Sequence, residues 1–137
     1  MSQTPRTSAS PTSRSSSTPS SNSTPSPAPR LPHHKLLAWQ VAKDLVLAVR
    51  ACSIRSAHLR DRAMRAAQSA ALNAAEGAGR VSRADKARAF AIARAEAVEA
   101  AAAVEIALAC GECAPAQAGE VLRLADRAVA LLTGLLR

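Results

Sequence analysis

The sequence predicts an all-α protein, an up-and-down antiparallel four-helix bundle preceded by a disordered N-terminal tail. Residues 1–33 are dense in Ser, Thr and Pro and contain nothing to bury, whereas from Leu36 onward apolar residues recur every three or four positions. The recurring stretches are separated by short breaks with helix stop and start chemistry: Gly77 and Gly79 before Ser82, and Gly111 before Pro115. Short connections make sequential helices antiparallel neighbours. The 137 residues are therefore read as a tail over 1–33 and one bundle domain over 34–137.

The first helix is expected over residues 36–53. Ala38, Ala42, Leu45, Val46, Val49 and Cys52 share one face, and Trp39 at its border serves as a lid on the core. After a linker at 54–57, the second helix is expected over 58–78. Leu59, Ala63, Ala66, Ala70 and Ala74 form a narrow stripe of mostly small residues, which lets a partner helix approach closely. Beside it runs a polar stripe, Arg62, Arg65, Ser69, Asn73 and Glu76, spaced to pair along the helix or reach across to a neighbour. Asn73 and Glu76 are expected to form a buried polar clamp at the glycine turn. Gly77 and Gly79 are expected to end the helix through positive backbone dihedrals.

Ser82 followed by Asp85 is an N-cap with an acidic first turn, which starts a third helix over 83–109. Phe90, Ala93, Ala97, Ala100, Ala101, Val104 and Leu108 fall on its core face. A second row, Ile92, Glu96, Glu99, Ala103 and Ile106, is more apolar than a fully solvated face requires. Pro115 suits the first turn of the last helix, and Gly134 falls in its final turn. Val121, Leu122, Ala125, Ala128, Val129, Leu132 and Leu136 are its expected core face, which leaves Leu124 and Leu131 outside. A Leu or Phe contributes roughly 1.5 to 3 kcal/mol on burial and Ala far less, so a small Ala-rich bundle is marginal alone. Self-association through Ile92, Ile106, Leu124 and Leu131 is the expected remedy.

The formal charge is +8, but Arg6, Arg14, Arg30 and Lys35 precede residue 36 and every acid follows it, leaving 14 basic against 10 acidic residues beyond. That surplus permits nucleic-acid contact without requiring it. Residues 1–32 have no apolar run for a signal peptide and too many helix breakers for a transit helix, although Arg6 and Arg14 without acids leave organelle targeting open. With Cys52, Cys110 and Cys113 an odd set, reduced thiols in a cytoplasmic protein are expected. Cys110-Gly-Glu-Cys113 has metal-ligand spacing, yet Gly111 marks it as a helix C-terminus and no second CxxC exists. The apolar run near Val98 is broken by Glu99 and Glu105 at less than bilayer length, so no membrane span is expected. No catalytic residues, cofactor or metal are expected. The chain lacks Tyr, a phosphate loop, a His paired with a nucleophile and the Glu-x-x-His pattern of di-iron bundles, and His58 is the lone histidine of the helices.

The run Arg65-Ala66-Ala67-Gln68-Ser69-Ala70-Ala71-Leu72-Asn73-Ala74-Ala75-Glu76-Gly77-Ala78-Gly79-Arg80 resembles the signature of the 23S rRNA intervening-sequence protein family. Relatives of that family include the accessory variability determinant of diversity-generating retroelements. Leu37-Ala-Trp39-Gln40 with Ala42 and Leu45, then Phe90, Ala93-Arg94, Glu99 and Gly111, match in the same order, so the resemblance spans residues 36–136. Arg62 in place of a usual Gln, Ala95-Glu96 in place of Gly-Ser, and a shorter first loop depart from it. The resemblance implies Ser69, Asn73, Glu76, Gly77 and Gly79 as the structural motif and a bundle assembled as a ring. The retroelement relatives form pentamers whose basic surface engages reverse transcriptase and RNA.

Two functions are thereby open. One is a noncatalytic oligomer binding nucleic acid or a nucleic-acid enzyme such as reverse transcriptase, with Arg62, Arg65, Arg80, Arg83 and Arg94 as phosphate contacts. The other is a structural or protein-interaction adaptor that binds no nucleic acid, consistent with the near balance of charge in the bundle.

Overall fold

The computed structural model describes residues 30–137 continuously, and 2–5, 8 and 25–28 before them. The tail expected over 1–33 thus lies in large part outside the described residues. Its junction with the bundle is more ordered than expected. Pro32–Lys35 forms a 3-10 turn, in which the His33 ring meets Trp39 edge-on at 4.8 Å between centroids. Gln40 Nε2 donates to the carbonyl of His34 at 3.1 Å. Trp39 is half-buried and anchors this turn, a use that the apolar pattern does not reveal.

Four helices follow: α1 (Leu37–Ala51), α2 (Ala57–Gly79), α3 (Arg83–Ala109) and α4 (Pro115–Leu135), with no strand among the described residues. Each helix packs on its sequence neighbours and α4 closes against α1, while the diagonal pairs barely touch. The loops after α1 and α3 meet at one end. There Arg55 N–H donates to the Glu112 carbonyl at 3.1 Å, and its guanidinium reaches the Gly111 carbonyl. That meeting gives the up-and-down order.

The core is mostly alanine; Leu45, Ile54, Leu132, Val104, Val121 and Cys52 are its largest fully buried side chains. The most extensive pairing is α2 on α3, where Ala63, Ala66, Ala67 and Ala70 share a buried cluster with Ala97, Ala100, Ala103 and Ala107, and Ala74 one with Phe90 and Ala93. Small side chains allow that approach. Towards α2 the buried face of α3 takes in Ala89, Ala103 and Ala107, and Ala101 and Leu108 become half-buried. The same preference for alanine turns α4. Ala118, Ala125 and Ala128 point inward, Leu124 is buried at 6% exposure and Leu131 is half-buried, whereas Leu122 and Val129 are half-buried and Leu136 is exposed. Leu124 and Leu131 are therefore core or core-flanking residues, which corrects their expected exposure at an oligomer interface.

Ser82 Oγ accepts from Asp85 N–H at 3.1 Å, as its sequence position predicts. Gly111 adopts φ +70°, and Gly111 N–H to Leu108 O together with Glu112 N–H to Ala107 O closes α3 in the manner of a Schellman motif. Gly77 and Gly79 do not behave that way. Both are helical with negative φ, and α2 ends where Arg80 turns extended at ψ 150°. The Lys86 ammonium then satisfies the carbonyls of Gly77 and Ala78 at 3.3 and 3.0 Å.

At the opposite end, burial first and then the neighbouring Cys113 thiol push Cys52 up to about 11. Its raised value relative to an ordinary 9.0 favours the protonated thiol in the fold, so the stability it lends is intact below pH 9 and lost as pH rises towards 11. The expected result is a denaturation midpoint that falls above pH 9 in the wild type and falls less in Cys52→Ala. Exposed Cys110 should alkylate in the native protein, and Cys52 only after unfolding.

Candidate nucleic-acid interface

The signature residues gather where α2 hands over to α3. Asn73, Glu76 and Arg80 from α2 and its end, with Asp85, Arg88 and Ile92 from α3, line a cleft of about 340 Å3. The helical spacing of Asn73, Glu76 and Arg80 stacks them along one side of α2. Asp85, Arg88 and Ile92 do the same on α3.

Asn73 Nδ2 donates to the backbone carbonyl of Ser69 at 2.8 Å and to its hydroxyl at 3.1 Å. This tether leaves the Asn73 carbonyl oxygen free of protein donors among the described residues. Glu76 is not a buried clamp: its carboxylate is exposed and takes the Arg80 guanidinium at 2.5 and 3.2 Å, one turn along the chain. The carboxylate lies on the open side of the α2–α3 cleft and is taken up along its own helix by Arg80, so the expected clamp to a neighbour does not form. What α2 does reach is α3 further back, where Arg62 Nε pairs with Glu99 at 2.9 Å.

The five candidate arginines divide into three groups. Arg62 and Arg80 are engaged in exposed ion pairs, of little weight for stability. Arg65 and Arg83 are exposed and form no ion pair among the described residues. Arg94 lies apart from both, since its Nε donates to Thr133 Oγ1 at 2.8 Å on α4, which removes it from the α2–α3 face. Arg88, absent from the sequence candidates, joins the cleft instead. The row of Ile92, Glu96 and Glu99 passes through Arg88 and Asp85 when continued two turns towards the start of α3, so the signal lies in the spacing.

Ile92 and Ile106 remain on the surface at 42% and 53% exposure. The cleft sets Arg88 and the Glu76-paired Arg80 beside Asp85 and an apolar Ile92 wall. Among the described residues no set of three or more His, Cys, Asp or Glu is placed to hold a metal. No described helix is long and apolar enough to cross a membrane.

The model of the 23S rRNA-intervening sequence protein family matches residues 34–134. No curated protein matches the chain. The match takes in all of α1 to α3 and α4 up to its final residue, and the cleft is lined from the signature run and the first turns of α3. With four helices in the expected order and a match over most of its length, the chain belongs to the 23S rRNA-intervening sequence protein family.

Proposed function

We propose that the protein is a noncatalytic, self-associating cytoplasmic bundle that binds structured RNA, or an enzyme acting on it such as a reverse transcriptase, through its α2–α3 face. The observation that carries this reading is the cleft in which Arg80 and Arg88 flank Asn73 and Ile92, with Arg83 at the start of α3 and Arg65 two turns back on α2 unpaired among the described residues. Guanidinium groups suit phosphate, the free amide oxygen of Asn73 suits a base N–H, and Ile92 offers an apolar surface for a base. The 23S rRNA in the family's name agrees with an RNA partner.

Glu76, Asp85, Glu96 and Glu99 share this face, so binding rests on local geometry more than on net charge. The double reversal Arg65→Glu/Arg83→Glu should abolish retention of a structured RNA at moderate salt and leave helicity and assembly unchanged. Unaltered retention would sink this version. Absence of RNA binding in the wild type would favour the adaptor reading, in which the same face docks a protein.

A further inference from the structure

Three thiols lie at the end of the bundle away from the arginine cleft, graded from surface to core: Cys110 is exposed, Cys113 half-buried and Cys52 fully buried. Spacing in the sequence pairs Cys110 with Cys113, but the fold pairs Cys113 with Cys52. Both line a cavity of about 350 Å3 between the two loops, together with Ser53, Arg55 and Gln117, and Cys110 is not among its lining residues. Cys113 also packs on the core cluster that contains Cys52, and the two thiols are hydrogen-bonding neighbours.

The loops that carry this pair are already drawn together. Arg55 donates its backbone N–H to the Glu112 carbonyl at 3.1 Å and its guanidinium to the Gly111 carbonyl. Ser53 turns the chain out of α1 at φ 49°, in the left-handed region that a residue other than glycine seldom adopts. Cys52 caps the C-terminus of α1, Cys113 stands two residues before the start of α4, and α1 packs on α4. No element has to unfold for the two sulfurs to meet. We infer that Cys52 and Cys113 are an oxidisable pair that closes into a disulfide and locks the end of α1 to the start of α4.

The oxidant is a low-molecular-weight disulfide, RSSR, of which oxidised glutathione is the probe. Cys113 is the more accessible of the two, so its thiolate attacks RSSR; the S–S bond of RSSR breaks, a mixed disulfide forms on Cys113, and the released thiolate takes up a proton. Cys52 then gives its proton to solvent and attacks Cys113 Sγ, which forms the internal bond and expels the second thiolate. Two cysteines lose two electrons and two protons, and RSSR becomes two RSH. Burial holds the proton on Cys52 and makes this second step the slow one, while the mixed disulfide removes the Cys113 charge that opposed it. The bond encloses all of α2 and α3 in one covalent loop, which restricts the unfolded chain and stabilises the fold. Excess reduced thiol reverses it. The α2–α3 cleft lies at the other end, so this lock stands apart from the proposed RNA binding.

The test equilibrates full-length protein with oxidised glutathione under native conditions, blocks free thiols by alkylation, and maps the tryptic peptides without reduction by mass spectrometry. Cleavage after Arg50 and Arg55 frees Cys52 in a short peptide, and cleavage after Arg94 and Arg123 frees the one that carries Cys110 and Cys113. The two should be joined within one molecule in the wild type and in Cys110→Ser, and separate in Cys113→Ser. Cys110→Ser changes an exposed position and leaves only the proposed pair, so it decides the assignment even where Cys113→Ser folds poorly. Oxidation should raise the urea midpoint by about 1 to 2 M in wild type and Cys110→Ser, and excess reduced glutathione should return it. A bridge between Cys110 and Cys113, glutathione left on Cys113, or three thiols still free after oxidation would overturn the pairing. A Cys52 to Cys113 bridge that leaves the midpoint unchanged or lowers it would overturn the lock.

Discussion

Leu45→Ala is expected to remove about 2 to 5 kcal/mol of stability, the usual cost of truncating a fully buried leucine, from a domain whose total is about 5 to 15 kcal/mol. Leu45 is completely buried in a core where most other positions are alanine. Few large side chains therefore supply most of the apolar area, and a closely packed core relaxes only in part around the cavity. Urea unfolding followed by circular dichroism should show a collapse of the midpoint. Leu37→Ala, on the same helix and 44% exposed, should stay within about 0.5 kcal/mol of wild type. Similar losses for the two would mean that α1 buries a different face.

Gly77→Ala is expected to destabilise, and Gly79→Ala two residues later to stabilise. A Cβ on Gly77 would stand 2.5 Å from Phe90 Cε1 and 2.6 Å from Cδ1, against a ring that is itself in the core, whereas one on Gly79 would meet nothing within 4 Å. Alanine gains about 0.8 to 1 kcal/mol over glycine in a helix interior, and less in a last turn. At Gly77 an overpacking cost of about 1 to 3 kcal/mol sets itself against that gain and exceeds it, because Phe90 cannot swing away without displacing its neighbours. Gly79→Ala keeps part of the gain. Replacing Phe90 by Leu should relieve much of the Gly77→Ala penalty in the double variant, a coupling that measures the close approach itself. Equal effects at the two glycines would show that close approach to Phe90 is not what Gly77 provides.

The number of helices, their order and most of their ends are legible in the sequence because caps and breakers act locally. Ser82 before Asp85, Gly111 and Pro115 each do what the residue type dictates within one turn. Which way each helix turns its face is less legible. On α4 both Leu122 with Val129 and Leu124 with Leu131 satisfy a helical period, and the choice between them is made by how closely an alanine core draws the helices together. Residue type alone assigns Gly77 to a turn, and only the position of Phe90, 13 residues later in the chain, reveals it as a packing glycine. The site is half legible: Asn73, Glu76 and Arg80 stand in the signature, while Arg88 joins them through the α2–α3 pairing and Arg94 leaves them through its bond to Thr133.

Whether the α2–α3 face holds a polyanion is tested most directly by the salt dependence of structured-RNA binding by full-length protein, wild type against Arg65→Glu/Arg83→Glu. Tight binding is expected at low salt, with log K falling linearly against log salt and the slope shallower in the variant by about 0.7 to 0.9 for each phosphate that it no longer neutralises. A wild-type slope near zero, or the same slope and affinity in both proteins, would contradict a polyanion site on this face.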